Sequence, residues 1–226
     1  MSELYFILIF ILAGFVKGVT GMGLPTVAMG LLGLLMPLPT AAALLIIPSF
    51  VTNVLQLFTG PSLLPILGRL WPMMLLIFVS TVATSSLLIG INPVWSAVSL
   101  GTALIFYALF ALVSPSLTIA EATEKWLSPI VGVMTGLITG ATGVFVMPAV
   151  PFLQSLRFSK EALVQALGLS FTVSTVALAL GLYFHGAFHI TQFSLSFISL
   201  IPALFGMWSG SQVRARISAR RFRQCF

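Results

Sequence analysis

Residues 4–36 read LYFILIFILAGFVKGVTGMGLPTVAMGLLGLLM, and this stretch decides the fold class of the chain. It is apolar over most of its length and longer than the roughly 20 residues that one membrane-spanning helix needs. Near its middle, residues 18–25 bring together three glycines and a proline. Glycine favours unwound backbone, and proline cannot donate a helical hydrogen bond. The sequence therefore predicts a discontinuous membrane helix here.

The composition of the whole chain is that of an all-α integral membrane protein. Hydrophobic residues make up 59% of its 226 residues and charged residues only 6%, and the mean hydropathy is +1.16. Four long stretches carry no charge: those between Lys17 and Arg69, Arg69 and Glu121, Lys125 and Arg157, and Glu161 and Arg214. Each has room for one or two crossings, and continuous apolarity favours helices over the alternating pattern of a membrane β-barrel.

The positions of polar turns predict seven helical segments in two transmembrane repeats. The approximate ranges are 4–36, 39–58, 70–90, 93–113, 126–156, 162–184 and 191–213. The first and fifth are too long for one straight crossing and are predicted to be discontinuous, but the sequence leaves open whether each break is a kink or a re-entrant hairpin. A polar linker, residues 114–125, separates the first repeat, residues 1–113, from the second, residues 126–226.

An internal repeat supports this division. The segment GFVKGVTG at residues 14–21 recurs as GLITGATG at residues 136–143, an offset of 122 residues, and Pro25 recurs as Pro148 at an offset of 123. Two halves that each open with a broken helix are typical of duplicated transporter folds. Close helix packing through a small-xxx-small face is an equal alternative role for four of the glycines: Gly14, Gly18, Gly136 and Gly140.

These glycine patterns, together with the basic stretch 214–223, resemble the TauE/SafE permeases, a sulfite-exporter-like family also called the toluene-sulfonate uptake permeases. The resemblance covers nearly the whole chain. It implies a multi-pass carrier of the bacterial inner membrane for sulfite, sulfonates or other small organic anions, with binding around the two glycine-rich breaks. Family members usually have a further apolar helix after the basic stretch, so the second repeat is expected to lack its final helix.

The distribution of basic residues predicts an orientation. If each segment counts as one crossing, seven basic residues lie on one side of the membrane: Arg157, Lys160, Arg214, Arg216, Arg220, Arg221 and Arg223. Arg69 and Lys125 then lie on the other side, and the positive-inside rule predicts a cytoplasmic C-terminus. The pI near 10.3 reflects this topology and contact with anionic membrane lipid. It indicates no nucleic-acid partner, because no soluble fold accompanies the arginines.

Lys17 is the main candidate for contact with an anionic substrate. It lies about 20 Å along a helix from Leu4, where a charge is costly unless it faces protein or water. Beside it, the breaks after Gly21 and Gly143 would offer free backbone N–H groups and the positive end of a helix dipole to a small oxyanion. The alternative role for Lys17 is snorkelling to the interface, or pairing with carbonyls released at the break.

The predicted substrate-binding residues surround the two breaks and the helices that follow them: Lys17, Gly18, Thr20, Gly21, Gly23, Asn53, Thr139, Gly140, Thr142, Gly143, Ser170 and Ser174. Further candidates are Gln56, Thr172 and Thr175. Their polar side chains have an alternative role in bonding a neighbouring helix or their own helix. His185 and His189 lack a third ligand, so no metal site is predicted and a loop role at the interface is favoured.

The sequence argues against an intramembrane enzyme, because it contains no aspartate, no His-Glu-x-x-His zinc motif and no Gly-x-Ser-x-Gly elbow. No phosphate-binding Gly-x-x-x-x-Gly-Lys-Ser/Thr loop occurs either, so no nucleotide cofactor is predicted and transport would be secondary. The alternative class is an anion channel or a noncatalytic membrane scaffold, including a nonfunctional truncated family member. The identity of the substrate, a coupling ion and a homo-oligomer are left open.

Overall fold

The computed structural model describes residues 3–60, 63–113, 118–187 and 190–217. Within these ranges every regular element is an α-helix: α1 (Glu3–Thr20), α2 (Leu24–Leu32), α3 (Leu38–Phe58), α4 (Leu63–Gly90), α5 (Pro93–Val113), α6 (Glu121–Thr142), α7 (Ala149–Ser155), α8 (Lys160–Phe184) and α9 (Ile190–Arg216). Five helices are long and apolar enough to cross a membrane, namely α3, α4, α5, α8 and the Ser194–Arg216 part of α9. The chain is thus a multi-pass helical membrane protein.

Most helix boundaries follow the predicted segments, and two differ for identifiable reasons. α4 begins at Leu63, about seven residues before the predicted start at residue 70. Pro65 is tolerated there because N–H groups in the first turn have no partner within the helix. α6 begins at Glu121 instead of residue 126, and Glu121 and Glu124 in its first turn are favoured by the positive end of the helix dipole.

The two predicted discontinuous segments are interrupted at their glycine-rich sites. Gly21 and Gly23, between α1 and α2, have φ angles of 83° and 111°, and Gly143, after α6, has a φ angle of 73°. L side chains rarely adopt these angles, so glycine is required where the chain leaves each helix. The backbone conformation of these glycines therefore ends α1 and α6 at the two breaks.

Both breaks turn the chain back on itself. At the first break, a Cβ atom on Gly23 would lie 2.8 Å from the Val16 side chain, so α2 starts beside the last turns of α1. At the second break, the N–H of Ile119, just before α6, donates to the carbonyl of Ser155, the last residue of α7, at 3.2 Å. α7 therefore ends at the level where α6 begins. Each break is a helical hairpin rather than a kink.

Side-chain contacts join the helix ends that carry basic residues. Arg69 on α4 donates two hydrogen bonds of 2.6 Å to the carboxylate of Glu124 on α6. The Arg69 guanidinium also lies 4.9 Å from the ring centroid of Phe158, which precedes α8. Lys160, the first residue of α8, donates from Nζ to the carbonyl of Arg214 at 2.8 Å. The starts of α4, α6 and α8 and the end of α9 therefore lie at one end of the bundle, which we call the basic end.

This arrangement corrects the predicted distribution of charge. Arg69 and Lys125 lie at the same end of the bundle as Arg157 and Lys160, not at the opposite end. The prediction of seven against two is wrong because it counts each broken segment as one crossing, whereas a hairpin returns to the end from which it came. Six basic residues of the described chain lie at the basic end: Arg69, Lys125, Arg157, Lys160, Arg214 and Arg216. Arg220, Arg221 and Arg223 lie outside the described residues.

Glycine faces hold the first helix of each hairpin against a long helix from the other half of the chain. A Cβ atom on Gly18 of α1 would lie 2.8 Å from the Cα atom of Gly210 on α9. A Cβ atom on Gly140 of α6 would lie 2.8 Å from the carbonyl oxygen of Thr81 on α4. Such backbone contact is the small-residue packing typical of membrane helices. Gly14 and Gly136 make the same kind of contact with α9 and α4.

The Gly18 contact predicts a clear difference between two alanine substitutions. Gly18→Ala is expected to lower the stability by about 1–3 kcal/mol, because the new methyl group overpacks the backbone of α9. Gly101→Ala is the matched control, because no atom lies within 4 Å of the site of its new Cβ, and alanine favours a helix by about 0.5–1 kcal/mol relative to glycine. Thermal unfolding of the purified proteins in detergent measures both. Equal melting temperatures for the two variants would contradict the packing of α1 on α9.

The hairpins predict which residues label from the same side of the membrane. Cys225 is the only cysteine, so Cys225→Ser provides a background for single-cysteine variants. In that background Lys125→Cys and Arg157→Cys are expected to react with a membrane-impermeant maleimide from the same side. Gly90→Cys, at the other end of α4, is expected to react from the opposite side. Labelling of Lys125→Cys and Arg157→Cys from different sides would mean that α6 and α7 form one crossing instead of a hairpin.

Candidate functional site

Three hydrogen bonds recur at the two breaks, and Thr20 also donates to the carbonyl of Met22 at 2.7 Å. Thr20 donates from Oγ1 to the carbonyl four residues earlier at 2.9 Å and accepts from the N–H two residues later at 3.2 Å. Thr142 makes the same two bonds, at 2.7 Å and 3.2 Å. The N–H groups of Gly21 and Gly143 each bond the carbonyl four residues earlier, at 2.7 Å and 2.8 Å. Both predicted threonines therefore bond the backbone of their own break.

Lys17 lies in the last turn of α1 and is fully buried. Its Nζ donates to Oδ1 of Asn53 on α3 and lies 5.6 Å from the ring centroid of Phe171 on α8. The Asn53 amide donates in turn from Nδ2 to Oγ1 of Thr175 on α8, at 3.1 Å. A continuous line of hydrogen bonds thus runs from α1 through α3 to α8. We call it the Lys17 chain, defined by Lys17, Asn53 and Thr175.

No carboxylate whose position the structure describes bonds to Lys17. Glu121, Glu124 and Glu161 lie in the first turns of α6 and α8, at the basic end, and the sequence contains no aspartate. A buried ammonium group without a charged partner costs several kcal/mol. The Phe171 ring offsets only about 0.5–2 kcal/mol of this cost through a cation–π contact. An ammonium group at Lys17 would therefore lack a charged partner among the described residues.

Gln56 connects the first break to α8. Its Nε2 atom donates to the carbonyl of Gly21 at 2.6 Å and to the carbonyl of Val164 at 2.8 Å. Its Oε1 atom is buried and has no hydrogen-bond partner. The carbonyl freed at the first break is thus satisfied by a side chain from α3, one turn beyond Asn53. Gln56 closes the side of the site that faces the basic end.

A small cavity lies between the two breaks. Its lining includes Pro25 from the first break, Gly143 and Phe145 from the second, and Ser49 and Thr175 from α3 and α8. Its volume is about 10 Å³, roughly the space that one water molecule requires. Thr175 belongs both to this lining and to the Lys17 chain, so the cavity adjoins the Lys17 chain. An oxyanion of four or more heavy atoms does not fit in this cavity unless the helices around it move apart.

The other predicted site residues are not joined to the Lys17 chain by hydrogen bonds. Ser170 and Ser174 are fully buried, and their hydroxyls have no partner. Ser174 lies two helical turns before Gly181, where an added Cβ atom would meet the side chain of Ser85 on α4. The two serines therefore lie on the face of α8 towards α4. Thr139 donates to a carbonyl of its own helix at 2.7 Å. A role for these three residues in substrate binding stays a prediction.

The glycines of the predicted site have roles in helix packing and in backbone conformation. Gly18 and Gly140 pack against α9 and α4 as described above, and Gly23 precedes the first residue of α2. Phe171, in contrast, contacts Lys17 but carried no signal in the sequence, because an aromatic residue in an apolar helix fits no site pattern. Thr175 and Gln56 were only secondary candidates, and their contacts with Asn53 and the first break depend on how α3 and α8 pack.

The histidine pair is only partly described. The Nδ1 atom of His185 lies 2.8 Å from the carbonyl of Gly181, while His189 lies outside the described residues. The loop role of the pair therefore stays a prediction. Among the residues that the structure describes, no three histidine, cysteine, aspartate or glutamate side chains lie close enough to hold a metal ion.

Comparison with known protein families identifies the family of this chain. Residues 6–226 match the family described as Sulfite exporter TauE/SafE. The chain belongs to this family. The match covers nearly the whole chain and confirms the resemblance of the glycine patterns, and TauE/SafE proteins form a family of membrane transporters. A search of curated proteins and a search of solved structures found no match.

In this TauE/SafE protein the Lys17 chain has the features of a functional site in a membrane. Ionisable residues inside membrane proteins are rare, and they commonly face the bundle interior and mark substrate or ion pathways. Lys17 fits this description, because it is fully buried beside a cavity formed by both breaks. The role of Lys17 in contact with a substrate stays a prediction.

The matched bonds at the breaks predict matched effects of two substitutions. Thr20→Val and Thr142→Val are each expected to destabilise the protein by about 1 kcal/mol, because each leaves a backbone N–H at a break without its acceptor. Thr172→Val is the control, since the Thr172 hydroxyl bonds only a carbonyl of its own helix, at 2.7 Å. Thermal unfolding in detergent measures the three variants. A loss for Thr172→Val as large as for the other two would show that the hydroxyls do not stabilise the breaks.

Proposed function

We propose that this TauE/SafE protein is a secondary carrier of small anions, with sulfite, sulfonates or related organic oxyanions as substrates. The single observation that carries the proposal is Lys17, a fully buried basic side chain bonded to the neutral amide of Asn53. An oxyanion at Lys17 supplies the missing negative charge. Two unit charges about 4 Å apart attract by roughly 4 kcal/mol at the effective dielectric of a protein site.

Oxyanion binding would use donors that already lie around Lys17. An anion oxygen can replace Oδ1 of Asn53 as the acceptor of Lys17. Nδ2 of Asn53 and the Thr175 hydroxyl, which donate to Thr175 and to the Phe171 carbonyl in the closed site, can turn to the anion as neutral donors. The start of α2 adds the positive end of a helix dipole. A binding site of this kind recognises a tetrahedral or pyramidal oxyanion through several donors and one cation.

The two halves of the chain are proposed to form an inverted repeat. Gly14 and Gly18 of α1 approach residues 203 and 210 of α9, so the two helices run in the same direction. Because α9 ends at the basic end, α1 begins at the opposite end, whereas α6 begins at the basic end. The two hairpins therefore enter from opposite ends. In this proposal the seven apolar segments are five crossings and two re-entrant hairpins, as in transporters with inverted repeats.

Two further features support the repeat. The bonds at Thr20 and Thr142 match, and the residues lie 122 positions apart. Asn53 and Thr175 are separated by the same 122 positions and bond each other, so equivalent positions of the two halves meet at the site. The positive-inside rule places the basic end on the cytoplasmic side. In this proposal the C-terminus is therefore cytoplasmic, and the protein lies in the inner membrane.

The small cavity favours a carrier over a channel. A channel requires a continuous polar path, whereas the cavity between the two breaks has a volume of about 10 Å³. Thr175 also lines a larger cavity of about 360 Å³, but the lining of that cavity is almost entirely apolar: Ile46, Ile47, Phe50, Val176, Ala179, Leu180 and Tyr183. Entry of an oxyanion requires separation of α3 from α8, where the Asn53–Thr175 bond and the Gln56–Val164 bond join the two helices. Alternate opening of these contacts towards each membrane face is the expected transport cycle.

Anion flux into liposomes tests the proposal. The purified protein is expected to show saturable flux of sulfite or a small sulfonate. Lys17→Ala is expected to weaken the apparent affinity by at least about 100-fold, because it removes an attraction of roughly 4 kcal/mol. Lys125→Ala is the matched control, because Lys125 is exposed at the basic end, and its flux is expected to equal that of the wild type.

Two other results of the flux experiment would lead to different conclusions. Flux that is unchanged in a folded Lys17→Ala protein would leave the carrier assignment intact and reject Lys17 as the anion site. A folded wild-type protein that moves none of the tested anions would contradict the carrier proposal. Monodispersity in detergent and the thermal unfolding temperature establish that each variant is folded before flux is measured.

A further inference from the structure

Within the part of the chain that the structure describes, the helices around Lys17 bring no acidic partner to it. α2 and α3 contain no ionisable side chain, and Tyr107 of α5, whose hydroxyl lies 3.2 Å from Sδ of Met22, is neutral at physiological pH. α9 packs beside α1, and α8 lies beside Asn53. Their ionisable side chains are Arg214 and Arg216 on α9, and Lys160, Glu161 and Tyr183 on α8. Glu161, the one acid among them, lies in the first turn of α8 at the basic end, ten residues before Phe171.

The protonation of Lys17 therefore depends on whether an anion is present. In the closed site without an anion, a neutral Lys17 amine still donates to Asn53, and no charge is buried. With an oxyanion bound, a protonated Lys17 and the anion form a pair. Two combinations remain: an ammonium group without an anion, and an anion beside a neutral amine. Each of them buries an unpaired charge, which is strongly unfavourable.

We propose that Lys17 carries the coupling proton, so that each oxyanion crosses the membrane together with one proton on the Lys17 side chain. This inference rests on the proposed function and adds the coupling ion and the residue that holds it. On the loading side the amine takes one proton from water and becomes the ammonium group that pairs with the anion. On the release side the anion leaves, the ammonium group returns its proton to water, and the neutral amine bonds Asn53 again.

Only the empty neutral site and the site holding both proton and anion can close without an unpaired charge. Transport of a singly charged anion is then electroneutral, and neither the proton nor the anion crosses alone. No second ionisable residue is needed for coupling, which agrees with the neutral partners in the Lys17 chain. The cycle also requires the side chain to lose its proton, which lysine does readily when buried and arginine does not.

Methanesulfonate is the probe for the test, because this strong-acid anion carries no proton of its own near neutral pH. Wild-type protein is reconstituted in liposomes, the membrane potential is held at zero with potassium and valinomycin, and the outside is made one pH unit more acidic. One proton per anion predicts accumulation of methanesulfonate inside that approaches tenfold, because one pH unit corresponds to a tenfold ratio of protons. Downhill flux without accumulation would leave the carrier proposal standing and overturn proton coupling.

Lys17→Arg separates anion binding from proton release. The variant is expected to exchange labelled for unlabelled methanesulfonate across the membrane, because the guanidinium still pairs with the anion. It is expected to show no accumulation under the pH gradient. The empty site of this variant stays positively charged, so it cannot close and turn back to the loading side. The matched control, Lys125→Arg, is expected to accumulate the probe as the wild type does. Near-tenfold accumulation by Lys17→Arg would overturn the role of Lys17 in carrying the proton.

A measurement on the wild type alone covers the case in which Lys17→Arg does not fold. At equal pH on both sides, a potassium diffusion potential of either sign is expected to leave methanesulfonate uptake unchanged, because the loaded and empty sites carry the same charge. Uptake that rises or falls with the potential would show that the anion crosses without a proton and would overturn the proposal. If the wild type transports neither methanesulfonate nor sulfite, the proposed function fails, and the coupling fails with it.

Discussion

Backbone polar groups inside a membrane protein must find partners within the protein, and the rest of this structure depends on how that constraint is met at its two breaks. Thr20 and Thr142 bond the N–H groups released where each helix ends, and Gln56 bonds the released carbonyl of Gly21. Such breaks are stable only when they are buried between other helices. Glycine faces on α1 and α6 allow that burial, because they let α9 and α4 approach backbone to backbone. The same packing surrounds Lys17 with protein instead of lipid, and its side chain bonds Asn53 inside the bundle.

The sequence was sufficient for the helical membrane fold, for the positions of both breaks and for Lys17 and Asn53 as candidates, because glycine, proline and an isolated charge are visible in an apolar chain. It was not sufficient for the path of the chain at the breaks. A kink and a hairpin need the same residues, and only the contact between Ile119 and Ser155 shows that α7 returns beside the start of α6. The charge count failed for this reason alone. The role of Phe171 was also hidden, since its contact with Lys17 depends on the rotation of α8 against α1 and α3.

The two breaks share backbone features, but the polar side chains around them differ. At the offset of 122 residues, Lys17 corresponds to Thr139 and Asn53 corresponds to Thr175. The first half thus supplies the cation and the amide, and the second half supplies hydroxyls. A site with one cation binds one negative charge without leaving a second positive charge unpaired. Under the proposed function this asymmetry sets the number of anions in each transport cycle, while the paired hairpins provide the repeated framework that lets the site open to either membrane face.

The hydrogen bonds that close the site are also the bonds that an anion would replace. Asn53 joins α3 to α8 through Thr175, and the same amide accepts from Lys17. An oxyanion that replaces Oδ1 of Asn53 at Lys17, and Oγ1 of Thr175 at Nδ2 of Asn53, accepts from the donors of both bonds, so loss of the closing contact is offset by binding. A ligand shifts a conformational equilibrium only through its different affinity for the two states. Lys17 can provide that difference in this protein, because its charge is unfavourable in the empty closed site and favourable once an anion is paired with it.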